Sequence, residues 1–177
     1  MGSSQSSLTS SQIEELTTLS KFNAKEIKRL YKRFRRLDTD SDGSLTRDEF
    51  LALPELATNP LKDRVLVLFG VDVQDNITFK SFISTLNLFS AKADKHEKLK
   101  AAFQIYDVDA DGIISDNDLT KIVKMLVGET LSDTQIEQVV SKTIAESDTD
   151  GDGALSFEEF AKCMSSTDLE MKMSIRF

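Results

Sequence analysis

The sequence predicts an all-helical fold of four helix–loop–helix hands, paired into two lobes with short β pairings between their loops. Three observations predict it. A twelve-residue acidic pattern occurs completely at two places and with one change at a third, a fourth copy survives as an apolar shell, and amphipathic runs of helical periodicity flank each copy.

The clearest copy spans 148–159, Asp-Thr-Asp-Gly-Asp-Gly-Ala-Leu-Ser-Phe-Glu-Glu, and fits D-x-[DN]-x-[DN]-G-x5-E throughout. Asp148, Asp150 and Asp152 present carboxylates at loop positions 1, 3 and 5, and Gly153 permits the sharp turn at 6. The carbonyl of Ala154 serves position 7, Ser156 acts through a water at 9, and Glu159 closes the shell from 12 with both oxygens. All-oxygen ligands with a bidentate glutamate suit calcium, which takes roughly 6 to 8 of them. Residues 38–49 repeat the pattern with Asp38, Asp40, Asp42, Gly43, the Ser44 carbonyl, Thr46 and Glu49. Residues 107–118 carry Asp107, Asp109, Asp111, Gly112, the Ile113 carbonyl and Ser115 but end in Asp118. A carboxylate one methylene shorter reaches less far into the shell, so this third site is expected to be weaker for Ca2+ and open to Mg2+ competition. Three calcium ions are expected in all.

The fourth copy, 70–81, places Gly70, Asp72, Gln74, Asp75, Asn76, Thr78 and Ser81 at positions 1, 3, 5, 6, 7, 9 and 12. It lacks the first carboxylate, the turn glycine and the closing glutamate, so no ion is expected there. Ile77 at position 8 still matches Leu45, Ile114 and Leu155. This apolar position is expected to pair neighbouring loops through a short antiparallel strand.

Composition narrows the function classes. With 177 residues, 40% hydrophobic and 29% charged, the chain has the make-up of a globular protein, and no apolar run approaches a membrane span. A net charge of −8 argues against nucleic acid as a partner, since phosphate binding needs clustered cations. The single cysteine, Cys163, forbids an internal disulfide and suits a reducing, cytosolic setting; it reads as a packed thiol. No nucleophile has a candidate base, His96 lies in a charged run, and there is no glycine loop to cradle phosphate. A non-enzyme is expected.

In chain order, Met-Gly-Ser-Ser-Gln-Ser fits M-G-x-x-x-[ST], with Gly2 as a myristoyl acceptor. Read alone, Ser3–Ser11 serves equally as a serine-rich tail, and 1–21 is taken as a flexible amino-terminal segment. One acyl chain gives only marginal membrane affinity, so Gly2 offers peripheral contact or packs on protein. No basic start or continuous apolar core marks a signal peptide. The first lobe is read as 22–90. Asn23 and Glu26 form a capping pair, and Ile27, Leu30, Tyr31, Phe34 and Leu37 make one buried face. The opposite basic face, Lys25 to Arg36, reads as solvated surface or as an attraction for acidic lipid. Pro54 stops the helix after the first loop, and Asn59-Pro60 opens another with Val65, Leu68 and Phe69 inward. The second lobe is read as 91–166. Leu99 to Tyr106 enter the third loop, and Leu119, Ile122, Val123, Leu126 and Val127 leave it, with Gly128 as stop. Ser132 to Gln135 form a capping box for a helix with Ile136, Val139, Val140 and Ile144. The apolar tail, 167–177, reads as an edge strand or a segment that docks on a groove.

These residues resemble the calcineurin B family of EF-hand proteins over 22–165. The resemblance rests on Glu26-Ile-Lys-Arg-Leu30, Leu53-Pro-Glu-Leu56 with Asn59-Pro-Leu61, Ile105-Tyr-Asp107, Met125-Leu-Val-Gly128, Asp133-Thr-Gln135 and 148–160. It implies a regulatory subunit that holds an amphipathic helix of a Ser/Thr phosphatase catalytic subunit and transmits calcium to it. It also implies acylation at Gly2. The ending Lys172-Met-Ser-Ile-Arg-Phe177 resembles the calcineurin B homologous proteins, which implies the alternative of a chaperone and regulator of a membrane sodium/proton exchanger. The complete first loop and the lack of an insertion between lobes favour the phosphatase subunit.

Overall fold

A computed structural model describes residues 7–70, 76–88, 90 and 93–165 of the protein. Gly2, the tail 167–177, and Asp72, Gln74 and Asp75 of the second loop lie outside the described residues.

The first element corrects the sequence reading. Ser10–Leu19 (α1), expected inside a flexible segment, is a helix. Thr9 and Gln12 form a reciprocal capping box, and Leu16 joins the first core. The Lys80–Glu15 ion pair at 2.7 Å fastens it, and just after it the Lys21 amide donates to Asn87 Oδ1 at 2.9 Å.

The first hand runs from Ala24–Leu37 (α2) through Ser44–Leu45 (β1) to Arg47–Leu51 (α3). Asn23 caps α2 with Glu26 as expected. The run after the loop, α3, ends at Leu51, earlier than expected, and Pro54 instead begins the short Pro54–Ala57 helix (α4), because a proline at the first position gives up no needed N–H. The next helix, Lys62–Val67 (α5), starts later than Pro60, where the Asn59 side chain accepts from the Leu61 amide at 2.9 Å. Ile77–Thr78 (β2) and Phe79–Leu88 (α6) complete the second hand. β1 and β2 pair antiparallel with Leu45 opposite Ile77, so the eroded loop keeps the structural use its apolar position 8 predicted. The second pair of hands comprises Lys95–Tyr106 (α7), Asp116–Val127 (α8), Asp133–Ser147 (α9) and Phe157–Ser165 (α10). Ile114 and Leu155 exchange two N–H to carbonyl bonds of 2.9 Å between its loops. Gly128 caps α8 with φ 56°, and Ser132 and Gln135 form the expected box before α9.

Each pair of hands closes around aromatic rings. Phe34, Phe50, Phe69, Phe79 and Phe82 interlock in the first, with Phe34 and Phe82 centroids 5.4 Å apart. Phe103, Phe157 and Phe160 do so in the second, with Phe103 and Phe160 5.5 Å apart. Leu126 and Val139, read as inward helix positions, are instead 47% and 45% exposed, alongside Met125 at 40%.

The two cores meet through α7. Ile105 is buried in the first core although its helix belongs to the third hand, and Tyr106 packs against both. Burial pushes the Tyr106 phenol upward in pKa, assisted by Cys163. Across this junction Arg64 of α5 donates from Nε to the Ile105 carbonyl at 2.9 Å and from Nη2 to those of Gln104 at 2.8 Å and Asp107 at 2.7 Å. A longer bond of 3.4 Å joins Nη1 to the Val108 carbonyl. Those oxygens are the last of α7 and the first of the third loop, groups a helix leaves without internal partners.

Candidate calcium sites

In each of the three acidic loops the backbone turns sharply at positions 4 and 6. Position 6 is glycine at φ 95°, 94° and 87° in the three loops, a left-handed geometry that disfavours a Cβ. Position 4 is left-handed too, with Ser41 at 60°, Ala110 at 59° and Gly151 at 80°. The first two hold that geometry without glycine, a local strain of about 1 kcal/mol each.

The carboxylates then converge. Asp38, Asp40 and Glu49 bring ligand oxygens within 4.8 Å of one another, as do Asp107, Asp109 and Asp111, and Asp148, Asp150 and Glu159. Asp42, Asp118 and Asp152 stand outside these triads. The Asp42 Oδ1 accepts the Ser44 amide at 2.7 Å and the Asp152 Oδ1 accepts the Ala154 amide at 2.9 Å. These bonds orient the carbonyls of Ser44 and Ala154, the position 7 ligands, as the Asp111 bond to the Ile113 amide at 3.0 Å does in the third loop.

Two features here were not read from the sequence. The first is that position 9 and position 12 are also the N-cap and N3 residues of the exiting helix. Thr46, and Ser156, which was assigned to water-mediated ligation, donate their hydroxyls to Glu49 Oε2 at 3.0 Å and to Glu159 Oε2 at 2.8 Å. Ser115 does the same to Asp118 Oδ2 at 2.6 Å. The spacing of three that identifies a capping box was the signal that could have found them. The second is the threonine at position 2. Thr39 Oγ1 donates to Glu49 Oε1 at 2.6 Å and Thr149 Oγ1 to Glu159 Oε1 at 2.8 Å, each helped by its own amide.

These bonds set the electrostatics. Glu49 falls from 4.5 to about 2, chiefly through the Thr39 hydroxyl and the Thr46 amide. Glu159 falls likewise to about 2, chiefly through the amides of Thr149 and Ser156. Asp150 moves the other way: the Asp152 amide draws it down, but burial and the charges of Asp152, Glu159 and Asp148 push it up. That crowding of like charge is what a divalent ion relieves.

The chemistry of the donors fits calcium. Asp38 is 2% exposed and Asp118 fully buried, and Oδ1 of each is buried without a hydrogen-bond partner. A buried unpaired carboxylate oxygen is costly, and a cation in the loop would complete it. Arg35 holds only the other oxygen of Asp38, at 2.8 Å. Position 2 of the third loop is Val108, so Asp118 has no threonine latch. In the second loop the Thr78 and Ser81 hydroxyls lie 3.1 Å apart where a carboxylate stands in the others.

Comparison with known proteins agrees with this architecture. A family model described as an EF-hand domain pair matches residues 96–165, and one described as an EF hand matches 30–54. The calcineurin B subunit of Naegleria gruberi is 51% identical over 176 residues, covering 99% of both chains. The type 1 calcineurin B subunit of Dictyostelium discoideum is 44% identical over all of this chain and 99% of its own. The calcineurin B subunit of Candida glabrata is 42% identical over 93% of this chain and 94% of its own. The chain is a calcium-binding EF-hand protein and belongs to the calcineurin B family.

Proposed function

We propose that this chain is the calcium-binding regulatory subunit of a Ser/Thr protein phosphatase of the calcineurin type, holding an amphipathic helix of the catalytic subunit. The observation that carries this reading is near full-length identity of 51% to a calcineurin B chain, together with three convergent acidic triads. The ligands would be Asp38, Asp40, Asp42, Ser44 and Glu49; Asp107, Asp109, Asp111, Ile113 and Asp118; and Asp148, Asp150, Asp152, Ala154 and Glu159. Calcium supplies positive charge that draws these oxygens inward. Glu49 and Glu159 stand in the first turns of α3 and α10, so commitment of both oxygens tethers each exiting helix to its loop. Met125 and Leu126 on α8 and Val139 on α9 offer an apolar surface suited to a partner helix.

The relatives carry the calcineurin B name, which favours this reading over an exchanger regulator. Affinity purification of the tagged chain in calcium buffer tests it. A stoichiometric Ser/Thr phosphatase catalytic chain is expected, and recovery of an exchanger or of no partner overturns the reading.

The two lobes, 22–90 and 91–166, belong to this reading, as do cytoplasmic residence and acylation of Gly2. No helix among the described residues is long and apolar enough to cross a membrane. Membrane contact would then come through the acyl chain, with Arg29, Lys32, Arg33 and Arg36 lining a basic cleft on α2. Co-expression with an N-myristoyltransferase is expected to add the acyl mass to the wild type and not to Gly2→Ala. An unmodified wild-type chain overturns it.

A further inference from the structure

We infer that Arg64, which lies outside all four loops, sets the ion affinity of the third hand from the opposite lobe, its charge opposing the ion that would enter at 107–118. The inference rests on the reading of 107–118 as a calcium site.

Arg64 belongs to α5, yet its hydrogen bonds go to the carbonyls of Gln104, Ile105, Asp107 and Val108. A guanidinium bonded to four neutral oxygens keeps its full charge for the field around it. That field is the third loop. Burial disfavours the charge of Arg64, and the carboxylates of Asp107 and Asp118, two of the ligands, favour it. The first hand solves the same problem within itself, where Arg35 pairs directly with the buried Asp38. Among the described residues the third hand shows no such internal bond. The Asp107 carboxylate accepts only the amides of Asp111 and Gly112 within the loop, and one oxygen of Asp118 has no partner. Its compensating cation therefore comes from another hand.

The consequence follows from charge. Before an ion enters, Arg64 is drawn toward two anionic ligands. A divalent ion repels the guanidinium and takes the four ligand carboxylates of that loop from −4 to −2, so the field that holds Arg64 weakens. Binding at the third hand thus weakens the bond between lobes, and by linkage that bond weakens binding to the same extent. Because the fork grips the end of α7, whose Ile105 sits in the first core, loosening it frees the junction between the two cores.

Calcium titration of the full chain by NMR tests this, with the Gly112 amide, bonded to Asp107 Oδ2 at 3.0 Å, as reporter of the third loop. Arg64→Gln, which removes the charge, is expected to tighten binding at that loop about fivefold, and Arg64→Lys, which keeps it, to stay within about twofold of wild type. In the wild type, exchange of the Arg64 Nε proton with water is expected to accelerate as the Gly112 signal saturates. Unchanged or weaker binding in Arg64→Gln, equal tightening in Arg64→Lys, or a calcium-insensitive Nε proton each overturns the inference while leaving the site assignment intact. A wild-type Gly112 amide that ignores calcium overturns the site assignment and the inference together.

Discussion

Asp118 and Thr39 show how much a single side chain decides in these loops. Asp118 is fully buried, and its shorter arm leaves one oxygen unpaired where Glu49 and Glu159 find a threonine. Asp118→Glu should raise calcium affinity at 107–118 and reduce magnesium competition, as read by calorimetric titration in both ions; unchanged isotherms would refute the ligand role of position 12 there. Thr39 acts on Glu49 without itself being a ligand. Since Glu49 has a folded pKa of about 2 against 4.5, its ionised form favours the folded, calcium-free chain above pH 4.5. That contribution is lost as pH falls from 4.5 toward 2. Thr39→Val removes the largest cause of the shift, so the Glu49 carboxyl carbon should titrate closer to 4.5 in chelator, and acid should erode the variant less through this residue. A titration midpoint that stays near 2 would assign the shift to the backbone amides and the Thr46 hydroxyl.

Among the elements, those with strong periodicity or a cap were legible from sequence, and those decided by packing were not. Asn23 with Glu26 and Ser132 with Gln135 announced α2 and α9 because a capping box is a local code. The Leu45–Ile77 pairing was legible because position 8 lies at fixed spacing within the repeat. α1 was missed although Thr9 and Gln12 obey the same code, since its serine-rich start hid a helix anchored mainly by Leu16 and by contacts with residues far along the chain, Lys80 and Asn87. Leu126 and Val139 have the right period for a core but face outward, because an exposed apolar stripe and a buried one look alike in sequence. The acidic triads were legible from their spacing, whereas the threonine latch and Arg64 were not, because the loop pattern leaves position 2 unconstrained and Arg64 lies outside the loops. Phe82 of α6 is wholly buried against Phe34, Phe50, Phe69 and Phe79. Phe82→Ala should cost the calcium-free chain about 3 to 5 kcal/mol in urea unfolding. A loss below about 1 kcal/mol would show that the ring cluster does not hold α6 in place.

At the scale of the molecule, charge and ions balance. The chain carries −8 at neutral pH, and three divalent ions would bring +6, leaving −2 by addition. Native mass spectrometry under saturating calcium should find three specific ions per chain, with Asp148→Ala reducing the count by one. Two or four ions in the wild type would contradict the assignment. The junction at α7 also bears on how the chain is made. Domains emerge from the ribosome amino-terminal end first and tend to fold as they appear. Here the first core ends in a socket that Ile105 fills, a residue made after every helix of the first two hands. A nascent chain paused after α6 therefore exposes an apolar hole, and the third hand, by arriving, acts as the stopper that closes the first core.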